Sequence, residues 1–258
     1  MTASTRPGAL DRTRGRVVAL GHRIFGVVPA WLGGHAHRLP TQLTFGITGP
    51  FNGQRQRQAA VAAIFRAIRF ETVIETGTYR ALTTMHLRRI SSARIATIEV
   101  NPRYFEYSRR RLARFERVSQ FLGHSPVVLD RLRQDVEWQA EPAFFYLDAH
   151  WLDDLPLVDE LHVVRQGWRA FAALIDDFRV DGDGGYYYDD YGAGKTLALP
   201  LIAAVPELAD LRVFWPAAPA RLETGARRGW VVVASPGAVA DALTGLAELR
   251  DGGSLGSR

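Results

Sequence analysis

Cysteine is missing from all 258 residues, which excludes disulfides, cysteine-based zinc sites and thiol nucleophiles. Lysine occurs once, at Lys195, so the other formally basic side chains are arginines. A long apolar run is missing too. The apolar stretch at residues 17–32 is broken by Gly21, His22, Arg23, Gly26 and Pro29, and a membrane span needs about 20 uninterrupted residues. No small-residue cleavage site follows it, so it does not read as a secretory signal. A cytoplasmic protein without stable membrane insertion is the expectation.

What is present is ordinary for a globular chain: 47% hydrophobic and 23% charged residues, in a length that suits one large α/β domain. The net charge of +5 is unevenly placed. Residues 1–40 hold six arginines against Asp11, so the rest of the chain is formally neutral. The excess belongs to an N-terminal arm, residues 1–44, expected to carry a helix that packs on the domain or on a second subunit of a homodimer. A neutral body argues against a nucleic-acid partner.

From residue 54 onward, helical and extended patterns alternate. Helices are expected at 54–69, 82–90, 102–115, 127–134, 155–167 and 195–204, and strands at 70–75, 94–99, 118–122, 143–148 and 171–176. Pro102 suits the first turn of its helix. The alternation implies right-handed crossovers and a mainly parallel sheet with helices on both faces. Two later runs, 211–215 and 230–234, are expected to form an antiparallel pair, giving seven strands. The domain is placed at 45–250, with a flexible tail at 251–258.

The first strand runs into Glu75-Thr76-Gly77-Thr78 and the second ends at Glu99. Ligands of such sheets bind beyond the carboxyl ends of the strands. Gly77 would let the backbone approach a ligand closely, Glu75 could reach polar groups of a cofactor, and Glu99 could accept both hydroxyls of a ribose. The dinucleotide pattern G-x-G-x-x-G is absent, which disfavours NAD. The fourth and fifth strands end in Asp148 and in Asp176-Asp177. Neighbouring strands lie about 4.8 Å apart, so three carboxylates gather at one rim and repel. A divalent cation relieves that repulsion, Mg²⁺ best, with Mn²⁺ or Ca²⁺ possible. His150, two residues past Asp148, is a proton acceptor by chemistry. A structural hydrogen bond and an additional metal ligand are its other readings.

Three further segments carry weaker signals. Residues 181–185 resemble the start of a calcium loop without its later acid and read as a flexible loop. The aromatic and acidic stretch at 186–192 is a candidate substrate lid. Gly194-Lys195-Thr196 lacks the glycine spacing of a phosphate-binding loop and is discounted.

Ile74-Glu75-Thr76-Gly77-Thr78 followed by Ala96-Thr97-Ile98-Glu99 resembles the first two motifs of class I S-adenosylmethionine-dependent methyltransferases, in particular the branch of macrocin O-methyltransferase and cephalosporin-hydroxylase-like proteins. The resemblance spans residues 45–235. It implies a Rossmann-like fold and methyl transfer to a hydroxyl of a small molecule, a sugar or phenolic metabolite of natural product biosynthesis. It places Glu75, Thr76, Gly77 and Thr78 around the methionine part of the cofactor, Glu99 on the ribose and Ser125 beside the adenine. His124 stands where an acid is usual. By position it makes Asp148, Asp176 and Asp177 the metal ligands, with Asp148 also bordering the cofactor. Many relatives have Asp-Gly-Asp where this chain has Asp148-Ala149-His150, which leaves His150, Asp148 or a hydroxide on the metal as the base. Metal-assisted chemistry other than methylation, and a non-catalytic cofactor-binding or assembly protein, are the rival readings.

Overall fold

The computed structural model describes Pro29, residues 49–150 and residues 154–257. The expected arm at 1–44 lies outside the described residues apart from Pro29. Eight strands form one sheet: β1 (Thr72–Thr76), β2 (Arg94–Glu99), β3 (Val118–Leu122), β4 (Ala143–Leu147), β5 (Phe171–Asp176), β6 (Arg212–Pro216), β7 (Trp230–Ala234) and β8 (Leu249–Ser254). Their order is β3-β2-β1-β4-β5-β7-β6-β8. The first five are mutually parallel. β7 runs against β5 and β6, and β8 runs against β6.

The helices are α1 (Arg55–Ala67), α2 (Leu82–Ile90), α3 (Pro102–Leu112), α4 (Ser125–Leu132), α5 (Leu157–Gly167), α6 (Leu199–Ala203) and α7 (Ala238–Thr244). α3 starts where Asn101 caps it, accepting the Arg103 N–H at 3.0 Å, with Pro102 in its first turn. Successive strand residues enter opposite cores, as a strand's two-residue period dictates. Ile74, Phe145 and Ile175 pack with Leu129 of α4 and with Leu161 and Val164 of α5. Val73, Phe144 and Leu174 pack with Val61 and Ile64 of α1 and with Leu243 of α7. β1, β4 and β5 are buried along their whole length, so β4 and most of β5 read as apolar runs, while the Thr and Glu side chains of β1 are buried with them.

Two expectations are corrected. The sheet has eight strands, not seven, and residues 251–257 are not a flexible tail. Leu249–Ser254 pairs with β6 across a register shift, and the buried Leu255 donates its N–H to Leu211 O at 2.8 Å. Asp251-Gly252-Gly253 carries no apolar alternation, so nothing in its pattern marks a strand. α6 begins four residues later than expected, because Lys195 closes a turn with Gly192 O at 2.9 Å. No helix among the described residues is long and apolar enough to cross a membrane.

Candidate active site

Beyond the carboxyl ends of β1, β2, β4 and β5 lies a cavity of about 690 Å³. Gly77, at φ +81°, turns the chain out of β1. The turn closes onto β2 through the N–H groups of Gly77 and Thr78, which reach Ile98 O at 2.9 and 3.1 Å. A Cβ on Gly77 would stand 2.1 Å from the carbonyl oxygen of Asp148. The glycine is therefore required by the chain that leaves β4.

Glu75 and Thr76 do not line the cavity. Glu75 is buried behind it, where its Oε2 accepts the hydroxyls of Thr84 and Thr97 (2.7 Å from Thr97), and burial pushes its pKa up to about 7. Thr78 does line the cavity and shares a 2.6 Å hydrogen bond with Thr97. Glu99 also faces it. One oxygen accepts the Tyr79 N–H at 2.7 Å and the other the Asn101 N–H at 2.8 Å. Each oxygen keeps a lone pair for a ligand, and burial holds the carboxyl above the usual range. His124 and Ser125 line the same end, with His124 Nε2 3.3 Å from Asp154.

At the other end the acidic residues divide. Asp148, His150 and Asp177 offer atoms that all lie within 4.8 Å of one another. His150 Nε2 is 3.9 Å from Asp148 Oδ1 and 3.8 Å from Asp177 Oδ2. The residue is 5% exposed, and neither ring nitrogen has a hydrogen-bond partner among the described residues.

Asp176, expected beside them as a ligand, is not part of this group. Its Oδ1 meets Arg57 Nη1 at 2.5 Å and the Asp177 N–H at 2.7 Å; its Oδ2 accepts Tyr146 at 2.5 Å and Asn52 at 3.2 Å. Arg57 and Asp176 are both fully buried. Burial alone would raise the Asp176 pKa, but the Arg57 charge and these bonds outweigh it and hold the carboxyl below the usual range. Asp148 moves the opposite way. Burial, with Asp176 and Asp177 nearby, pushes it well above the carboxylate range. Burial next to Asp176 also raises Asp177.

Several site residues carry no motif. Arg57 sits on the apolar stripe of α1 with Val61 and Ile64, a misplaced charge that is its only signal in the sequence. Tyr146 sits within an apolar run, and its hydroxyl is 3.1 Å from Asp148 Oδ2. Arg228 spans Asp177 and Asp189 with its guanidinium, and nothing in the sequence singles it out.

The stretch at 186–192 is not a free lid. Tyr186 is buried and donates to Ala218 O at 2.9 Å, and the N–H of Asp189 reaches Asp177 O at 2.9 Å. Asp189 is the residue of this stretch that lines the cavity. The 181–185 loop is likewise tied down, with the two Asp183 oxygens accepting from Gly185 and Ala220.

The rim has unusual backbone. Phe51, Asn52, Tyr79, Ala81, Arg117, Asp177 and Arg227 are the non-glycine residues at positive φ among the described residues. All but Arg117 line the cavity or adjoin a residue that does. A fully buried Phe51 at φ +50° is the least expected of them. Its ring packs edge-on against Tyr146 at 5.2 Å and thereby sets Asn52 against Asp176.

No family model and no curated protein matches the sequence. Solved structures do. The O-methyltransferase TomG from Streptomyces achromogenes, in complex with SAM, superposes with a TM-score of 0.52 at 14% identity over 86% of this chain and 98% of that one. The O-methyltransferase from Bacillus cereus, in complex with SAH, gives 0.51 at 17% identity over 86% and 99%. A cofactor-bound protein from MTB gives 0.50 at 19% identity over 90% and 99%. At such identities the likeness establishes a shared α/β fold, a Rossmann-like sheet with an antiparallel C-terminal portion.

Proposed function

We propose that this protein transfers a methyl group from S-adenosylmethionine to a hydroxyl of a small molecule, with a divalent cation held by Asp148, His150 and Asp177. One observation carries the reading. A ribose-type carboxylate, Glu99, and a cation-type cluster open into the same cavity, large enough for a cofactor with a small acceptor beside it. O-methyltransferases among the structural neighbours support it. The motifs at 74–78 and 96–99 support the macrocin O-methyltransferase branch, and with it a sugar or phenolic acceptor.

The residues fit a cation by charge. Asp148, Asp176, Asp177 and Asp189 face Arg57 and Arg228, which leaves two negative charges once Asp148 gives up its proton to bind the cation and His150 is neutral. When bound, the cofactor supplies an electrophilic methyl group and the cation lowers the pKa of the acceptor hydroxyl. Glu99 and the 77–78 turn hold the nucleoside and methionine ends. Asp148 accepts the acceptor's proton at Oδ2, the oxygen turned toward Tyr146, and His150 is assigned to the cation. Asn52 and Arg228 wall the acceptor side.

Calorimetry with S-adenosylhomocysteine tests the cofactor half: binding that Glu99→Ala abolishes is the expected result, and absence of binding to the wild type refutes it. Transfer of labelled methyl to hydroxylated acceptors, lost with EDTA and restored by added divalent ion, tests the rest. Undiminished transfer in the Asp148→Ala/Asp177→Ala double variant would overturn the cation's role.

A further inference from the structure

We infer that the cation site prefers a first-row transition ion such as Mn²⁺ over Mg²⁺ and Ca²⁺, and that His150 and Arg228 set this preference. The inference rests on the cation half of the proposed function and is independent of the methyl donor.

Three features of the cluster lead there. The first is the donor set. Asp176, the carboxylate that would have completed an all-oxygen site, has both oxygens occupied by Arg57, Tyr146, Asn52 and the Asp177 N–H. The remaining donors are two carboxylates and an imidazole. Mg²⁺ and Ca²⁺ take oxygen; imidazole suits Zn²⁺, Fe²⁺ and Ni²⁺ best, and Mn²⁺, though it shares the oxygen preference of Mg²⁺, belongs to the same first-row series.

The second is the state of His150. A buried ring with no hydrogen-bond partner among the described residues is costly unless something binds it. Its Nε2 points between two carboxylate oxygens at 3.9 and 3.8 Å. Donors sharing one ion at bonds of about 2.1 Å are at most about 4.2 Å apart, so both contacts are within reach of a common ion.

The third is the restriction on Asp177. Arg228 donates Nε–H to its Oδ1 and is held from behind by Asp189. The Asp177 backbone is fixed too, its N–H on Asp176 and its carbonyl accepting from Asp189. The Arg228 charge on Oδ1 repels a second cation there and leaves Oδ2, the oxygen facing His150, for an ion, so this carboxylate binds through one oxygen. Ca²⁺, which needs six to eight oxygens and favours two-oxygen carboxylates, is the worst served. The rival arrangement is an imidazolium that bridges the two carboxylates with no metal at all.

The test uses the full-length chain stripped with EDTA and titrated with Mn²⁺ by electron paramagnetic resonance, with Mg²⁺ and Ca²⁺ as competitors. We expect Mn²⁺ to bind at least about tenfold more tightly than Mg²⁺, with Ca²⁺ weakest. The spin-echo spectrum should show nitrogen-14 coupling from one imidazole, lost in His150→Gln together with the Mn²⁺ preference. Arg228→Met should keep Mn²⁺ binding and narrow its margin over Ca²⁺. If a variant fails to fold, the wild-type nitrogen coupling decides alone. No Mn²⁺ binding, Mg²⁺ binding as tight as Mn²⁺, or bound Mn²⁺ without nitrogen coupling overturns the inference. Normal S-adenosylhomocysteine binding alongside any of these would leave the methyl-donor reading standing.

Discussion

Glu75 lies wholly inside the protein, and its pKa of about 7 stands above the ordinary 4.5. Between those values the folded chain keeps a proton that the unfolded chain releases. The folded state binds more protons, so stability is full below about pH 4.5 and falls as pH rises through 7. Glu160, also fully buried and raised to about 7 by desolvation, adds to the same slope. Asp176 acts in the opposite sense and in a lower window: its depressed pKa lends stability above about 3.8 that is lost on acidification below it. The thermal midpoint should therefore fall from pH 5 to pH 7, and Glu75→Gln should flatten that fall while leaving the pH 5 midpoint within a few degrees. A midpoint that rises over this range would contradict the assignment.

Gly77 gives the second expectation at this scale. A Cβ meets the Asp148 carbonyl at 2.1 Å on a left-handed backbone. Gly77→Ala should cost about 2–4 kcal/mol in urea unfolding and abolish S-adenosylhomocysteine binding in calorimetry. Residue by residue, Gly77, Glu99, Asp148 and Asp177 could be picked from the sequence because strand ends dictate where they emerge. That Asp176 turns to Arg57 was not legible, because Arg57 lies 119 positions away and no strand-end rule carries that information. The inward turn of Glu75 toward Thr84 and Thr97 was hidden although its partners are near in sequence, because which face of the turn Glu75 takes is set by the packing of α2 and β2.

At the scale of elements, the Arg57–Asp176 pair joins α1 to the end of β5. Arg57 also donates to the carbonyls of Arg228 and Gly229, just before β7, at 2.5 and 3.4 Å. Burial would lower its pKa, but Asp176 more than compensates and keeps the guanidinium charged. Arg57→Met leaves a carboxylate buried without its cation and should cost about 3–5 kcal/mol by urea unfolding. Arg57→Met/Asp176→Asn together should recover part of that loss. Equal losses in the single and double variants would show that the pair is not the connection. Elements with clear periodicity were legible: β2, β3, β5 and β7 match expectation to the residue, as does α2. β8 was not, because its stability comes from lying on β6 and not from its own side chains. The same dependence on neighbours converts 186–192 from an expected lid into a wall.

For the molecule as a whole, formal neutrality beyond the arm conceals a strong polarity. Residues 55–117 carry fourteen arginines against five acids, and residues 118–258 carry twelve basic against twenty-one acidic side chains. The sheet order puts β2 and β3 at one end. α2 and α3 gather there: Arg88 reaches Glu116 O, Arg117 reaches Ser92 O, and Arg111 reaches Arg80 O. At low salt and pH 8 the full chain should be retained on heparin, and Arg109→Glu/Arg110→Glu/Arg114→Glu should elute at lower salt. Unchanged elution would place the retention in the arm. Summed charge could not reveal this, because the sum averages over a distance that only the fold defines.

Left-handed backbone at Tyr79, on the partly exposed rim of the cavity, has an evolutionary corollary. That conformation costs about 1–3 kcal/mol, so glycine at this partly exposed position would toughen the protein against heat while blunting its mouth. Selection for durability alone would drift toward glycine there. A lineage that keeps a bulky side chain at this point is being held by the work of its cavity, not by the climate it lives in.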